Sequence, residues 1–180
     1  VWADKTDSES ITDTAMGTDC SVRVFGSDGT AKDIMDMLSD IENKYLSWRI
    51  EGSDIANINE NASESEPVMP SKWTYSYLEN VLDLARESNG AFDPTLGRVS
   101  QLWNLESDNP YIPSKSELTE LLLETGWEKI SLSDGEVFLK DSVQIDLGAV
   151  GKGIGCDEAR KMLEEADADA AVVSVGGSIL

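Results

Sequence analysis

From Cys20 to Phe25 apolar and polar positions alternate, with Cys20, Val22 and Val24 on one side, and the run closes at Gly26 and Ser27-Asp28-Gly29. That period of two predicts a half-buried strand ended by a turn. The period then changes. Between Ala31 and Trp48, the residues Ile34, Met37, Leu38, Ile41, Tyr45 and Trp48 fall on one face of a helix, a stripe suited to core packing. Ser53 to Asn59 opens with the cap-like pair Ser53-Asp54 and reads as a short helix. A loop over Asn61 to Pro70 leads to a second long amphipathic helix, Ser71 to Ser88. Its inward residues are Trp73, Tyr77, Leu78, Val81, Leu84 and Ala85, and Asn89-Gly90 stops it.

The second half is more broken. Ala91 to Gly97 is an irregular loop with one acid and one proline, Leu102 and Trp103 sit on a short helix, and Ser116 to Glu124 forms another. Lys129 to Leu132 and Val137 to Leu139 flank Ser133-Asp134-Gly135, a hairpin signal. Val143 to Leu147 reads as a strand, Gly153 to Ala166 as a helix, and Ala171 to Val175 as an apolar strand ending at Gly176-Gly177. A glycine pair there, so close to the last residue, suggests a cut through a domain. No internal repeat appears. Val1 to Thr14 is polar, acidic and aperiodic and reads as a tether, leaving 15–180 as the structured part.

Composition narrows the chemistry. The chain of 180 residues carries 35 acidic against 14 basic side chains, a net charge of −21. Such a surface repels nucleic acid and anionic lipid headgroups, so both are poor partners. It also repels phosphate, and a phosphate site must rely on local donors, a lysine or a divalent metal. There is no histidine, which excludes a Ser-His-Asp triad, a Cys-His pair and His-ligated zinc. The two cysteines, Cys20 and Cys156, form no CxxC and read as free buried thiols. No apolar run has the length of a membrane span, and no signal peptide is present in the chain.

The chemistry concentrates in Gln144 to Asp157, QIDLGAVGKGIGCD, where four glycines fall within eight residues between the predicted strand and helix. Glycines at such a junction permit positive φ and close approach of a ligand, and the N–H groups opening a helix attract anions. Lys152 adds positive charge there, and Asp146 stands at the strand end. The segment matches neither a Walker loop nor the dinucleotide fingerprint. A glycine-rich turn without a ligand is the other reading of it.

Four further blocks accompany this one: Met16-Gly17-Thr18; Leu46-Ser47-Trp48 with Ser53 and Asn59; Gly90-Ala91-Phe92-Asp93-Pro94-Thr95; and Val175-Gly176-Gly177. In this order and spacing they resemble the ApbE family of FAD:protein FMN transferases, from about Ala15 onward. The resemblance implies an α+β fold with a mixed sheet, flanking helices and a cleft for FAD. Of that fold this chain holds an incomplete, N-terminal part. It further implies an enzyme that uses magnesium and FAD to attach FMN to a Thr or Ser of another protein, releasing AMP. Implied acceptors are subunits of sodium-pumping NADH:quinone reductases and of Rnf-type complexes. An exported protein tethered to the outer face of the cytoplasmic membrane, through a lipid anchor outside this chain, is the implied location.

Residue by residue, Met16 is similar to a family residue that touches FAD, and Trp48 takes the place of an aromatic that stacks on the isoalloxazine. Ala91, Phe92 and Asp93 match the segment lining the nucleotide pocket. Asp146 matches an acid contacting FAD, Ala149 a residue whose backbone carbonyl ligates magnesium, and Lys152 a basic FAD contact. Catalytic residues are expected in the family's distal block, which also supplies Asp and Thr ligands for the metal. Each assignment has a plainer counterpart: Trp48 as core, Asp93 as a turn acid, Met16 as packing at a strand entry. A FAD pyrophosphatase, or a flavin-holding domain without chemistry, are the alternative functions.

Overall fold

A computed structural model describes residues 8–105 and 107–180. In chain order, β1 (Ser8–Ala15) and β2 (Thr18–Phe25) precede α1 (Thr30–Asp40), which continues into a π-helical turn, Ile41–Leu46. Then follow α2 (Asp54–Asn61), α3 (Lys72–Glu87), α4 (Gly97–Trp103), α5 (Lys115–Leu122) and a 3-10 turn, Trp127–Lys129. The hairpin β3 (Ile130–Ser133) and β4 (Glu136–Leu139), the long α6 (Gly148–Glu165), β5 (Ala170–Val175) and β6 (Ser178–Ile179) complete the α+β fold. The chain divides into two compact units: Val1–Lys44 together with Gly148–Leu180, and Tyr45–Leu147.

In the first unit the strands run in the order β1-β2-β5-β6, each neighbour antiparallel. Cys20, Val22 and Val24 face inward as their alternation requires, opposite Val175, Val173 and Ala171. Ala31, Ile34, Met35 and Leu38 of α1 and Ala159 of α6 join them in one core cluster. The tether expected over Val1 to Thr14 is corrected from Ser8 onward, because those residues pair with β2 along its whole length. Residues 1–7 lie outside the described ones. β1 is an edge strand with a weak apolar pattern: its ladder is made by backbone, Ser10, Thr12 and Thr14 are exposed on one face, and only Ile11 and Ala15 of the other face pack on the core. The turn joining β1 to β2 has two residues, Met16 (φ 55°) and Gly17 (φ 65°). Positive φ at both positions is what a type I′ hairpin requires.

The second unit buries Ile55 and Ile58 of α2, Leu78, Val81, Leu82 and Ala85 of α3, and Ile130, Val137, Leu139, Val143, Ile145 and Leu147 beyond. Ser53 and Ser71 cap α2 and α3 by accepting from Ala56 and Thr74 N–H groups. The inward stripe of α3 is rotated from the one predicted. Leu84 is 43% exposed, while Leu82 and Thr74 are buried. Trp73 instead stacks at the rim, its ring 4.7 Å from Tyr45 and 4.4 Å from Tyr77.

Two further expectations change. The ladders among the described strands are antiparallel, and parallel pairing reduces to one isolated bridge, Leu96 with Gln144. Val143 to Leu147 is extended but forms no strand, since its polar groups find partners of another kind.

Candidate functional site

The glycine-rich segment is helical. α6 begins at Gly148, five residues earlier than the pattern of apolar residues predicts, and Gly151, Gly153 and Gly155 lie inside it. None of these glycines has positive φ, so the reading of a glycine turn ahead of the helix is corrected. At Gly155 the missing side chain serves packing: a Cβ there would stand 2.8 Å from Leu38 Cδ2 and 3.1 Å from Met16 Sδ. Met16 thus leans on α6 within the first unit, in a left-handed conformation unusual for a side chain of its size. Its N–H donates to Glu42 Oε2 at 2.6 Å. Lys152 is half-buried in the second turn of α6 and not at its opening, while Ala149 is exposed in the first turn.

The other candidates belong to the second unit. Trp48 leaves the predicted stripe. The regular helix stops at Asp40, the chain widens into the π-helical turn, and Trp48 follows in a non-helical turn. Its ring carries the Arg49 guanidinium 4.1 Å from the centroid. Trp48 Nε1 is buried and has no hydrogen-bond partner among the described residues. An orphaned donor of this kind costs free energy until an acceptor reaches it. The indole lines an open cleft of about 360 Å³ with Arg49, Ala56, Asn59, Gln101 and Gln144 among its walls. The loop bearing it is fixed by Ser53, fully buried, whose hydroxyl donates to the Ser47 carbonyl at 2.6 Å.

Asp93 is a turn acid in this fold. Its Oδ1 accepts from both the N–H (2.8 Å) and the hydroxyl (2.6 Å) of Thr95. Thr95, 1% exposed, in turn accepts from the Gly126 N–H at 2.8 Å. Ala91 is exposed and Phe92 half-buried, with the Phe92 N–H bonded to Ser88 Oγ. Asp93 also borders a second open cleft of about 390 Å³ with Arg86, Asn89, Gly90, Trp127 and Glu128.

Asp146 is brought beside this turn through its backbone, its N–H donating to the Pro94 carbonyl at 2.8 Å. Two residues earlier, Gly97 N–H donates to the Gln144 carbonyl at 3.0 Å. That approach needs glycine, because a Cβ at Gly97 would lie 2.8 Å from the same oxygen. The opposite edge of the segment is held by a side chain. Asn59 Nδ2 donates to the Ile145 carbonyl (2.8 Å) and Asn59 Oδ1 accepts from the Ile145 N–H (2.7 Å). Asn59 and Thr95, to which the sequence pattern assigns no role, are the fixing points of the extended segment and of the Asp93 turn.

Within the second unit, then, Asp93 and Asp146 are joined through Pro94, and Trp48 shares a cleft with Gln144 and Asn59. Met16, Ala149 and Lys152 are in the first unit. The Trp48 indole and the Asn59, Gln101 and Gln144 amides of the cleft, beside Arg49 and the Glu51 and Glu60 carboxylates, fit a ligand with an aromatic face and hydrogen-bonding groups. A metal ion is fitted less well: among the described residues no group of three or more Cys, Asp or Glu side chains is placed to hold one. The neutral carbonyl of Ala149 does not by itself satisfy magnesium, which favours carboxylate and phosphate oxygens. Among the described residues no helix is long and apolar enough to cross a membrane.

Comparison with known proteins agrees over nearly the whole chain. An FAD:protein FMN transferase of Treponema pallidum is 31% identical over 178 residues, covering 91% of this chain and 49% of that protein. The Haemophilus influenzae FAD:protein FMN transferase is 27% identical, covering 94% and 53%. The chain spans about half the length of these curated relatives. Among solved structures, the ApbE protein of Thermotoga maritima superposes with a TM-score of 0.84 at 31% identity, covering 96% of this chain and 58% of that one. The flavin transferase ApbE of Vibrio cholerae shares the fold, with a TM-score of 0.84 at 22% identity. The model of the ApbE family itself matches residues 16–180, and this chain belongs to that family.

Proposed function

We propose that this chain is the FAD-binding portion of an FAD:protein FMN transferase. One observation carries the proposal: in a member of this family, the Trp48 indole lines an open cleft together with the Asn59, Gln101 and Gln144 side chains. Relatives covering the chain almost end to end bear that name. In the proposed reaction the hydroxyl of a Thr or Ser on an acceptor protein attacks the FMN-side phosphorus of FAD. A new P–O ester forms, the bond to the bridging oxygen breaks, AMP leaves, and the hydroxyl proton passes to a base. Lys152 is the proposed cation for the phosphates, which a surface of net charge −21 otherwise repels. Asp93, Asp146, Met16 and the Ala91-Phe92 segment are the proposed remaining FAD contacts. Magnesium bound at Ala149 would offset phosphate charge, and it requires carboxylates besides that carbonyl. Acceptor subunits of NADH:quinone reductases or Rnf-type complexes, and an exported location, extend the same proposal.

The test is titration of FAD into the 180-residue chain, followed by incubation with magnesium and an acceptor while AMP and acceptor mass are measured. FAD binding without AMP release is the expected result, because the described residues group no metal-holding carboxylates and no histidine serves as base. Absence of FAD binding overturns the proposal. Release of AMP and free FMN without acceptor labelling would make hydrolysis the activity instead.

A further inference from the structure

We infer that Asn59 is a positioning residue, which sets Asp146 relative to the Trp48 cleft by replacing a missing β-strand. In an extended segment the N–H and C=O groups of one residue point to one edge, and those of its neighbours to the other. Gln144 C=O and Asp146 N–H go to the backbone of Gly97 and Pro94. Both groups of Ile145 therefore face the other edge, where no strand lies, and the Asn59 carboxamide meets them with an acceptor and a donor at 2.7 and 2.8 Å. A carboxamide supplies that pair as a peptide group does, whereas an ionised Asp of the same length offers acceptors only. Ile145 is fully buried, so water cannot substitute.

The helix that carries Asn59 makes a second attachment. Ser53, capping the other end of α2, donates to the Ser47 carbonyl in the loop that bears Trp48. Between the two attachments lie about two turns, near 9 Å at 1.5 Å per residue. α2 is thus a strut with the Trp48 loop fastened at one end and the Asp146 segment at the other. Asn59 also lines the Trp48 cleft itself. The inference rests on the proposed FAD site, since it is FAD binding that the spacing serves.

Three variants test it: Asn59→Ala removes both bonds, Asn59→Asp keeps the acceptor only, and Val81→Ala lowers stability at a buried position of α3 outside the site. Asn59→Ala should exchange the Ile145 amide faster and bind FAD at least about ten-fold more weakly, whereas Val81→Ala keeps wild-type affinity. In Asn59→Asp the carboxylate faces the Ile145 carbonyl without a proton; protonation restores one donor and one acceptor. Its affinity, as a ratio to wild type, should recover as pH falls. The ratio sets aside the other charged groups around the cleft, Glu51, Glu60 and Arg49, and the adjacent Asp146, since wild type and variant share them. The Asp variant carries the test should Asn59→Ala fail to fold. Wild-type affinity in Asn59→Ala, equal losses in Val81→Ala, or a flat ratio for Asn59→Asp overturns the positioning role. A wild-type chain that does not bind FAD overturns the proposed function and the positioning role with it, an outcome distinct from failure in the variants alone.

Discussion

Two glycines in one helix, Gly153 and Gly155, should respond in opposite directions to alanine. Gly153 is exposed, is helical, and a Cβ built on it meets nothing within 4 Å. Alanine there removes backbone freedom from the unfolded chain at no steric cost, a gain of about 0.5–1 kcal/mol. Gly155 has the same backbone and the same propensity gain, but its Cβ would lie 2.8 Å from Leu38 Cδ2 and 3.1 Å from Met16 Sδ. Carbon contacts are comfortable at about 3.5–4.0 Å, so the overlap with Leu38 is roughly 0.7 Å or more. Leu38 is fully buried in the cluster beneath the sheet and cannot swing aside. Overpacking of that kind costs about 1–3 kcal/mol, leaving Gly155→Ala destabilised by up to about 2 kcal/mol. For a chain of this size each kcal/mol moves Tm by about 2–4 °C. Thermal melts followed by circular dichroism should therefore show Gly153→Ala raised by about 2 °C and Gly155→Ala lowered by several degrees. A rise in both would mean that α6 does not approach α1 and the Met16 turn so closely. A fall in Gly153→Ala would return that glycine to a turn of positive φ, with the helix beginning after it.

Three more outcomes are expected. Thr95→Val keeps the shape but strips the hydroxyl shared by Asp93 and Gly126, and should cost about 1–3 kcal/mol in urea unfolding; a loss below about 0.5 kcal/mol would show that the turn does not depend on it. FAD should quench tryptophan fluorescence less in Trp48→Phe than in the wild type, and equal quenching would remove this indole from the flavin contact. Burial pushes the Cys20 and Cys156 thiols up, so the folded chain holds these protons longer than the unfolded one. Their contribution is complete below the ordinary thiol range of about 8.5 and is lost as pH rises through the higher folded values. The urea midpoint should fall above that pH, and less steeply in Cys20→Ala; an identical fall would deny the thiol any part in it.

What the sequence by itself determined was whatever repeats locally with a period. The alternation of Cys20, Val22 and Val24 specified β2 and its buried face, since each strand residue turns opposite to the last. The presence of helices at α1 and α3, though not the exact buried stripe of α3, the caps Ser53 and Ser71 and the Asp134-Gly135 turn were also legible, because their causes lie within a few residues. The order of short blocks was enough to identify the family. Tertiary structure decided the rest. β1 became a strand through backbone pairing with β2, a driving force that leaves only Ile11 and Ala15 as an apolar trace in Ser8–Ala15. Trp48 left its stripe where the π-helical turn ended α1, and its orphaned N–H followed from that departure. Gly155, whose propensity opposes a helix, sits inside α6 where Leu38 and Met16 occupy the space a side chain would fill. Ile145 sits in a segment that looks like a strand and is not one, because its neighbour on one side is the side chain of Asn59, 86 residues away along the chain. Only folding brings such a pair together.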